Sequence, residues 1–134
     1  MALQNTAYNA YKQNSINTAS PGELTLMLYN GCIKFLNVAK KAIEEKHMEE
    51  KNVNLQKAQN IINELMVTLN MDYEISKQIL PLYEYMNRRL VEANIKNDPE
   101  IVEEVIGLAT EFRDTWKEVI KLNRQQHYQN VQQV

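Results

Sequence analysis

The sequence has few of the residues that make tight turns. Its 134 residues include only three Gly and three Pro, well below the average usage of about 7% and about 5%. Sandwiches and barrels connect many short strands through turns rich in these residues. We therefore exclude an all-β fold, and the chain length predicts a single domain that can bury its own core.

Cysteine is nearly absent as well. Cys32 is the single cysteine of the chain, so an internal disulfide is excluded. It lies within an apolar pattern and has no His or other ligand at a metal-binding spacing, and free cysteines are commonly buried. We expect Cys32 to be a small buried hydrophobic side chain.

An excess of charge of one sign is also lacking. Fifteen Lys and Arg stand against seventeen Asp and Glu, for a net charge of −2, and no basic block could neutralise several phosphates at once. The most apolar run, Leu24 to Tyr29, is far shorter than the roughly 20 residues that span a bilayer, and no leader sequence precedes it. We expect a cytoplasmic protein that neither binds nucleic acid nor inserts into a membrane.

The first of four helical patterns begins at a helix start signal. Ser20 and Glu23 form a capping box, and Pro21 takes the first helical position, where its missing N–H has no cost. Apolar residues then recur at spacings of three and four to about residue 45. Asn30-Gly31 offers a competing hairpin interpretation. Because the apolar pattern continues beyond it and a lone hairpin is barely stable, we expect a helix.

Three further helical patterns follow, separated by short polar breaks. The second ends near Asn70, and the fourth begins at Asn97-Asp98-Pro99. The third contains Pro81, which predicts a kink or a fresh start near residue 80. Short connections predict an all-α, antiparallel up-and-down four-helix bundle over residues 18–123. Residues 1–17 are expected to form a mobile arm or a short extra helix, and residues 124–134 a polar tail that frays after Leu122.

One pattern has the spacing of a metal site. Glu44-x-x-His47 matches half of a di-metal carboxylate motif. The other histidine, His127, has Arg124 where a second Glu would be needed, and Glu44 lies at a charged helix end. Nucleophile elbows, phosphate-binding glycine loops and Cys-x-x-Cys pairs are absent. We therefore expect no enzymatic activity, no cofactor and no metal.

The apolar surface exceeds what a self-contained bundle needs. Residues 24–28 are apolar at nearly every position, and Tyr83, Tyr85 and Met86 follow on the third helix. Tyr and Met are enriched in the cores of interfaces, and the chain has seven Tyr against two Phe and one Trp. These residues indicate a binding surface, although each of them could instead fill the core. Trp116 is expected in the core, and Arg89 is expected to be solvated or paired with Glu92.

Several stretches resemble the flagellar secretion chaperone FliS family. The matching stretches are Ala10-Tyr11, Ala19-Ser20-Pro21-Gly22-Glu23-Leu24, Met27-Leu28-Tyr29-Asn30-Gly31, Leu82-Tyr83-Glu84-Tyr85-Met86, Arg88-Arg89-Leu90, Glu92-Ala93-Asn94, Asn97-Asp98 and Trp116-Lys117. They occur in the family's order across nearly the whole chain.

The resemblance implies a cytoplasmic export chaperone of bacterial flagellum biogenesis. It implies that the chain binds the C-terminal, polymerising segment of flagellin, prevents premature filament assembly and presents cargo to the gate of type III export. An amphipathic cargo helix would lie in a groove of the bundle, and the N-terminal arm would cover part of that groove when it is empty. The expected cargo-binding residues are Tyr8, Tyr11, Leu24, Leu28, Tyr29, Tyr83, Met86, Leu90, Ala93 and Asn94; the alternative for Asn94 is a helix-capping role.

A second function class is a structural or regulatory bundle that associates with itself through the same apolar surface. Such a protein would be a stable dimer indifferent to flagellin. A chaperone could also be a homodimer while it is free of cargo. Light scattering with and without a flagellin C-terminal peptide separates the two classes, because a chaperone should give a one-to-one complex.

Deleting residues 1–15 should change cargo affinity without lowering the melting temperature much, because a cap contributes to the groove and not to the core. Calorimetric titration and thermal melts of the full-length and shortened chains measure the two effects. A collapse in stability would show that the arm is part of the core.

Overall fold

The predicted all-α, four-helix architecture is confirmed. The computed structural model describes residues 21–132, and side chains within residues 22–126. This part of the chain forms α1 (Pro21–Glu44), α2 (Met48–Thr68), α3 (Glu74–Lys96) and α4 (Pro99–Gln132). Asn30-Gly31 lies inside α1, so the helix interpretation of that dipeptide is correct. The expected capping residue Ser20 and the arm over residues 1–17 lie outside the described residues.

The helices pack as a closed cycle of four neighbours. Helix α1 packs on α2 and α4, and α3 packs on the same two helices from the opposite side. The backbones of the diagonal pairs, α1 with α3 and α2 with α4, do not make contact. Each short connection reverses the chain direction, which is the up-and-down arrangement expected of a bundle with short loops.

Small and large apolar side chains alternate through the core. Leu36, Ala39, Ala58 and Leu90 have no measurable exposure, and the alanines let neighbouring backbones approach closely while the leucines fill the space between layers. Cys32 is 1% exposed, and burial raises the pKa of its thiol to about 12. The expectation that Cys32 is a buried hydrophobic side chain is confirmed.

A buried lysine links α2 to the C-terminal end of α3, at the end of the bundle where α4 begins. Lys51 on α2 is 5% exposed, and its Nζ donates to the Asn94 carbonyl at 3.2 Å and to Asn97 Oδ1 at 2.5 Å. Asn97 is the C-cap of α3 and has a left-handed backbone, with φ of 52°. A cation at a helix C-terminus satisfies carbonyls that lack partners within the helix, so Lys51 stabilises this end.

Of the two alternatives expected at Pro81, the fresh start is excluded and the kink stays a prediction, and the fraying expected after Leu122 is not found. Helix α3 has no fresh start at Pro81 and continues through it from Glu74 to Lys96. Both Pro81 and Lys77 are exposed, so water can bond the Lys77 carbonyl that proline leaves without a donor. Helix α4 does not fray after Leu122 but reaches Gln132, because the segment has no Gly or Pro and is rich in residues that tolerate a helix.

Leu36→Ala should lower the free energy of unfolding by about 2–5 kcal/mol, because it leaves a cavity in a tightly packed layer. Val67→Ala is the matched control: Val67 is 81% exposed, so its truncation should change stability by less than about 0.5 kcal/mol. Urea denaturation measures both values. Equal losses for the two variants would contradict the placement of the core.

Candidate functional site

An apolar groove opens at the end of the bundle opposite Lys51. Its volume is about 690 Å³, and its walls come from residues 25–29 of α1, 65–70 at the end of α2, 73–83 at the start of α3 and 108–119 of α4. We call this feature the groove. Most of its described lining is aliphatic or aromatic, which is the usual character of a concave binding site.

Three aromatic rings from three helices form the floor of the groove. The Tyr29 ring on α1 is stacked on Phe112 of α4 with centroids 5.9 Å apart, and the Tyr83 ring on α3 meets the same Phe112 at 5.3 Å and a tilt of 52°. The hydroxyls of Tyr29 and Tyr83 form a hydrogen bond with each other. This contact joins the diagonal pair α1 and α3, whose backbones do not touch.

The two tyrosine hydroxyls share one buried environment. Tyr29 is 4% exposed and Tyr83 is 2% exposed. Loss of water around the phenols raises the pKa of each above its usual value of about 10, and this burial effect is the largest contribution for both. Both groups are therefore protonated at neutral pH, so one hydroxyl can donate to the other.

The first half of α3 forms an exposed apolar wall above this floor. Ile75 is 58% exposed and Leu82 is 43% exposed, and Tyr73, the N-cap of α3, also lines the groove. An exposed run of large apolar side chains along a concave surface typically marks a binding site.

The opposite wall belongs to α4, which is fixed to the start of α1. Trp116 is half-buried rather than fully in the core, and its Nε1 donates to the Gly22 carbonyl at 2.8 Å. About two helical turns after Trp116, Arg124 forms an ion pair with Glu23 of α1. These contacts hold the second half of α4 against α1 and leave the gap on the side of α3.

Two of the expected cargo-binding residues lie in the groove. Tyr29 and Tyr83 form its floor. Leu24 on α1 is half-buried and lies outside the groove lining. Tyr8 and Tyr11 lie outside the described residues.

The other expected cargo-binding residues lie elsewhere in the bundle. Leu28, Met86, Leu90 and Ala93 are buried in the core. Asn94 is exposed at the opposite end of the bundle, where its carbonyl accepts the Lys51 bond. None of these five residues lines the groove. As expected, Arg89 pairs with Glu92, and it also pairs with Glu104 at 2.7 Å.

Ile75, Leu82, Phe112 and Trp116 also line the groove. None of them was among the expected cargo-binding residues, and Trp116 was expected in the core. One signal was available. Leu82 and Tyr83 are adjacent, and neighbouring positions on a helix point about 100° apart, so both could not face one narrow core. Tyr83 is buried, and Leu82 lies on the exposed wall.

The Glu44-x-x-His47 pattern lies at the junction of α1 and α2. His47 is the N-cap of α2, and its Nδ1 lies 3.6 Å from carboxylates of both Glu45 and Glu50. In the described part of the chain, no three His, Cys, Asp or Glu side chains converge on a metal position. None of the described helices is both long and apolar enough to span a bilayer.

Comparison with known proteins identifies close relatives. A family model described as "Flagellar protein FliS" matches residues 4–123. The flagellar secretion chaperone FliS of Bacillus subtilis (strain 168) is 58% identical over 128 residues, covering 96% of each chain. The protein of the same name from Escherichia coli (strain K12) is 38% identical over 79% of this chain and 80% of its own. A solved structure described as "Crystal structure of flagellar chaperone from bacteria" shares the fold, with a TM-score of 0.71 and 18% identity over 88% of this chain and 98% of its own.

Tyr29→Phe and Tyr83→Phe should each lower the free energy of unfolding by about 1–3 kcal/mol, because each leaves one buried hydroxyl without its partner. The double variant should lose no more than either single variant, since no orphaned hydroxyl remains. Chemical denaturation of the four proteins completes the cycle, and Tyr73→Phe, at a ring 63% exposed, is the control. Additive losses would contradict the shared hydrogen bond.

Proposed function

This chain belongs to the FliS family of flagellar secretion chaperones, and from that premise we propose that it binds the C-terminal polymerisation segment of flagellin. Binding keeps that segment from assembling into filament before type III secretion. The family consists of chaperones and not of enzymes, so the function of the chain depends on a binding surface and a flagellar client.

The observation that carries the proposal is the groove. Residues 108–119 of α4 border it, a length of about 16 Å at about 1.5 Å per residue. That length accommodates roughly three turns of a cargo helix, whose apolar residues at spacings of three and four would lie on the floor and walls. A polymerising segment presents such an apolar face, and covering this face would prevent the segment from pairing with another flagellin.

Within this proposal the residues have distinct roles. Tyr29 and Tyr83 contact the cargo from the floor, while Leu82 and Trp116 contact it from the two walls. The residues buried beneath, such as Met86, hold the floor in place. The polar atoms of Tyr29, Tyr83 and Trp116 are bonded within the bundle, so their rings offer apolar surface to the cargo without an unpartnered polar group.

The remaining parts of the proposal concern the surroundings of the groove. The chain acts in the cytoplasm and presents bound flagellin to the export gate. Tyr8 and Tyr11 in the N-terminal arm contact the site near the start of α1. Without cargo, the exposed wall of α3 could pair with a second copy, so a cargo-free homodimer belongs to the same proposal.

Leu82→Asp should weaken binding of a flagellin C-terminal peptide by at least about tenfold, because a carboxylate replaces apolar area buried by the cargo. Val91→Asp should leave the affinity within about twofold. Val91 is the matched control: it lies on the same helix at a similar exposure, 49% against 43%, but outside the groove. Titration calorimetry gives both affinities, and circular dichroism verifies that both variants fold.

Equal affinities for the two variants, with the wild-type protein binding the peptide, would place the cargo on another surface. A wild-type protein that ignores the peptide and remains a stable dimer in light scattering would instead favour the self-associating bundle.

A further inference from the structure

We propose that Glu111 is a specificity-determining residue that pairs with one basic side chain of the bound segment and so fixes its position along the groove. The proposal rests on the proposed function, because it assigns a charge preference to the segment that the groove receives. It concerns a polar contact within a site that is otherwise apolar.

Glu111 is the one charged residue among the nineteen described residues that line the groove. Its neighbours along the groove face of α4 are Leu108, Phe112 and Thr115, which carry no charge. The side chain is exposed. Within the described residues it has no ion pair or hydrogen bond, so its carboxylate is available to a cation.

Glu104, two helical turns before Glu111 on α4, is paired with a cation of the bundle itself. Glu104 precedes Glu111 by seven residues, which places both on nearly the same face of α4. Arg89 of α3 donates to Glu104 at 2.7 Å. Because α3 and α4 are antiparallel, the residue of α3 at the level of Glu111 is about seven positions before Arg89, and that residue is Leu82. The chain therefore places a leucine where the corresponding cation would lie.

A single charge in an apolar groove affects the position of the ligand more than its affinity. An amphipathic helix could slide by one turn and keep most of its apolar contacts. A basic side chain opposite Glu111 is satisfied in only one of these positions, and the alternatives leave the charge beside apolar walls. The pair therefore selects one alignment of the cargo.

The chain itself contains a competing cation. Residues 1–20 carry a single charged side chain, Lys12, next to Tyr11. If the N-terminal segment were the partner of Glu111, the carboxylate would serve the empty protein and not the cargo. Lys12→Gln is therefore part of the test.

The experiment is a titration of the full-length chain with a flagellin C-terminal peptide and with peptides in which each Lys or Arg is replaced by Gln in turn. We expect Glu111→Gln to weaken binding of the unchanged peptide by about two- to fivefold at low salt, the usual size of an exposed ion pair, and Glu111→Lys by about tenfold or more. The differences should shrink as salt is added. Glu118→Gln, on the same helix outside the groove, should have no effect.

The peptide series identifies the partner. One peptide substitution should weaken binding to the wild-type protein but have no further effect in Glu111→Gln, while the others remain additive. Additivity at every position, unchanged affinity in Glu111→Gln, or coupling of Glu111 to Lys12 alone would overturn the proposal. Each of these results requires that the wild-type protein binds the peptide, so failure of the proposed function is recognised separately by the absence of binding.

Discussion

The hydrogen bond between Tyr29 and Tyr83 crosses the diagonal of the bundle, and the groove depends on it. The backbones of α1 and α3 do not touch, so only long side chains can close the space between them. The two buried hydroxyls satisfy each other, and the Phe112 ring packs on both tyrosines. A buried hydroxyl without a partner is costly, so each tyrosine fixes the position of the other. Together they end the core and leave a floor on which another helix could lie.

The two ends of the bundle differ in how their helices are joined. At the end where α3 stops and α4 begins, which we call the closed end, charged groups link neighbouring helices. Lys51 caps α3, Lys40 pairs with Glu103, and Arg89 pairs with Glu104. At the open end the described groove lining has one charge, that of Glu111. Polar contacts at the open end, from Trp116 to Gly22 and from Arg124 to Glu23, join α4 to α1, so the apolar surface lies on the side of α3. Rigid support beneath a binding surface reduces the cost of ordering the protein when it binds.

The four helices could be predicted from the sequence because their apolar spacing and the proline start at Pro99 are local signals. The continuation of α3 through Pro81 and the end of α4 could not be predicted in this way. The effect of Pro81 depends on which face of α3 it occupies, and the polar end of α4 lacks the apolar spacing from which the extent of a helix is predicted. The candidate site overlaps the expected cargo-binding residues at two positions. Tyr29 and Tyr83 lie in the groove, whereas the wall that includes Leu82 depends on how far α3 stands from its neighbours, a distance that helix periodicity does not encode.

We propose that a cargo helix lies on the aromatic floor between the first half of α3 and the middle of α4. Hydrogen–deuterium exchange of the full chain, with and without a flagellin C-terminal peptide, tests it most directly. We predict slower amide exchange over residues 73–83 and 108–119 in the complex, and unchanged exchange at the closed end around residues 48–58. Protection confined to the closed end, or to the outer face of the bundle, would contradict the claim.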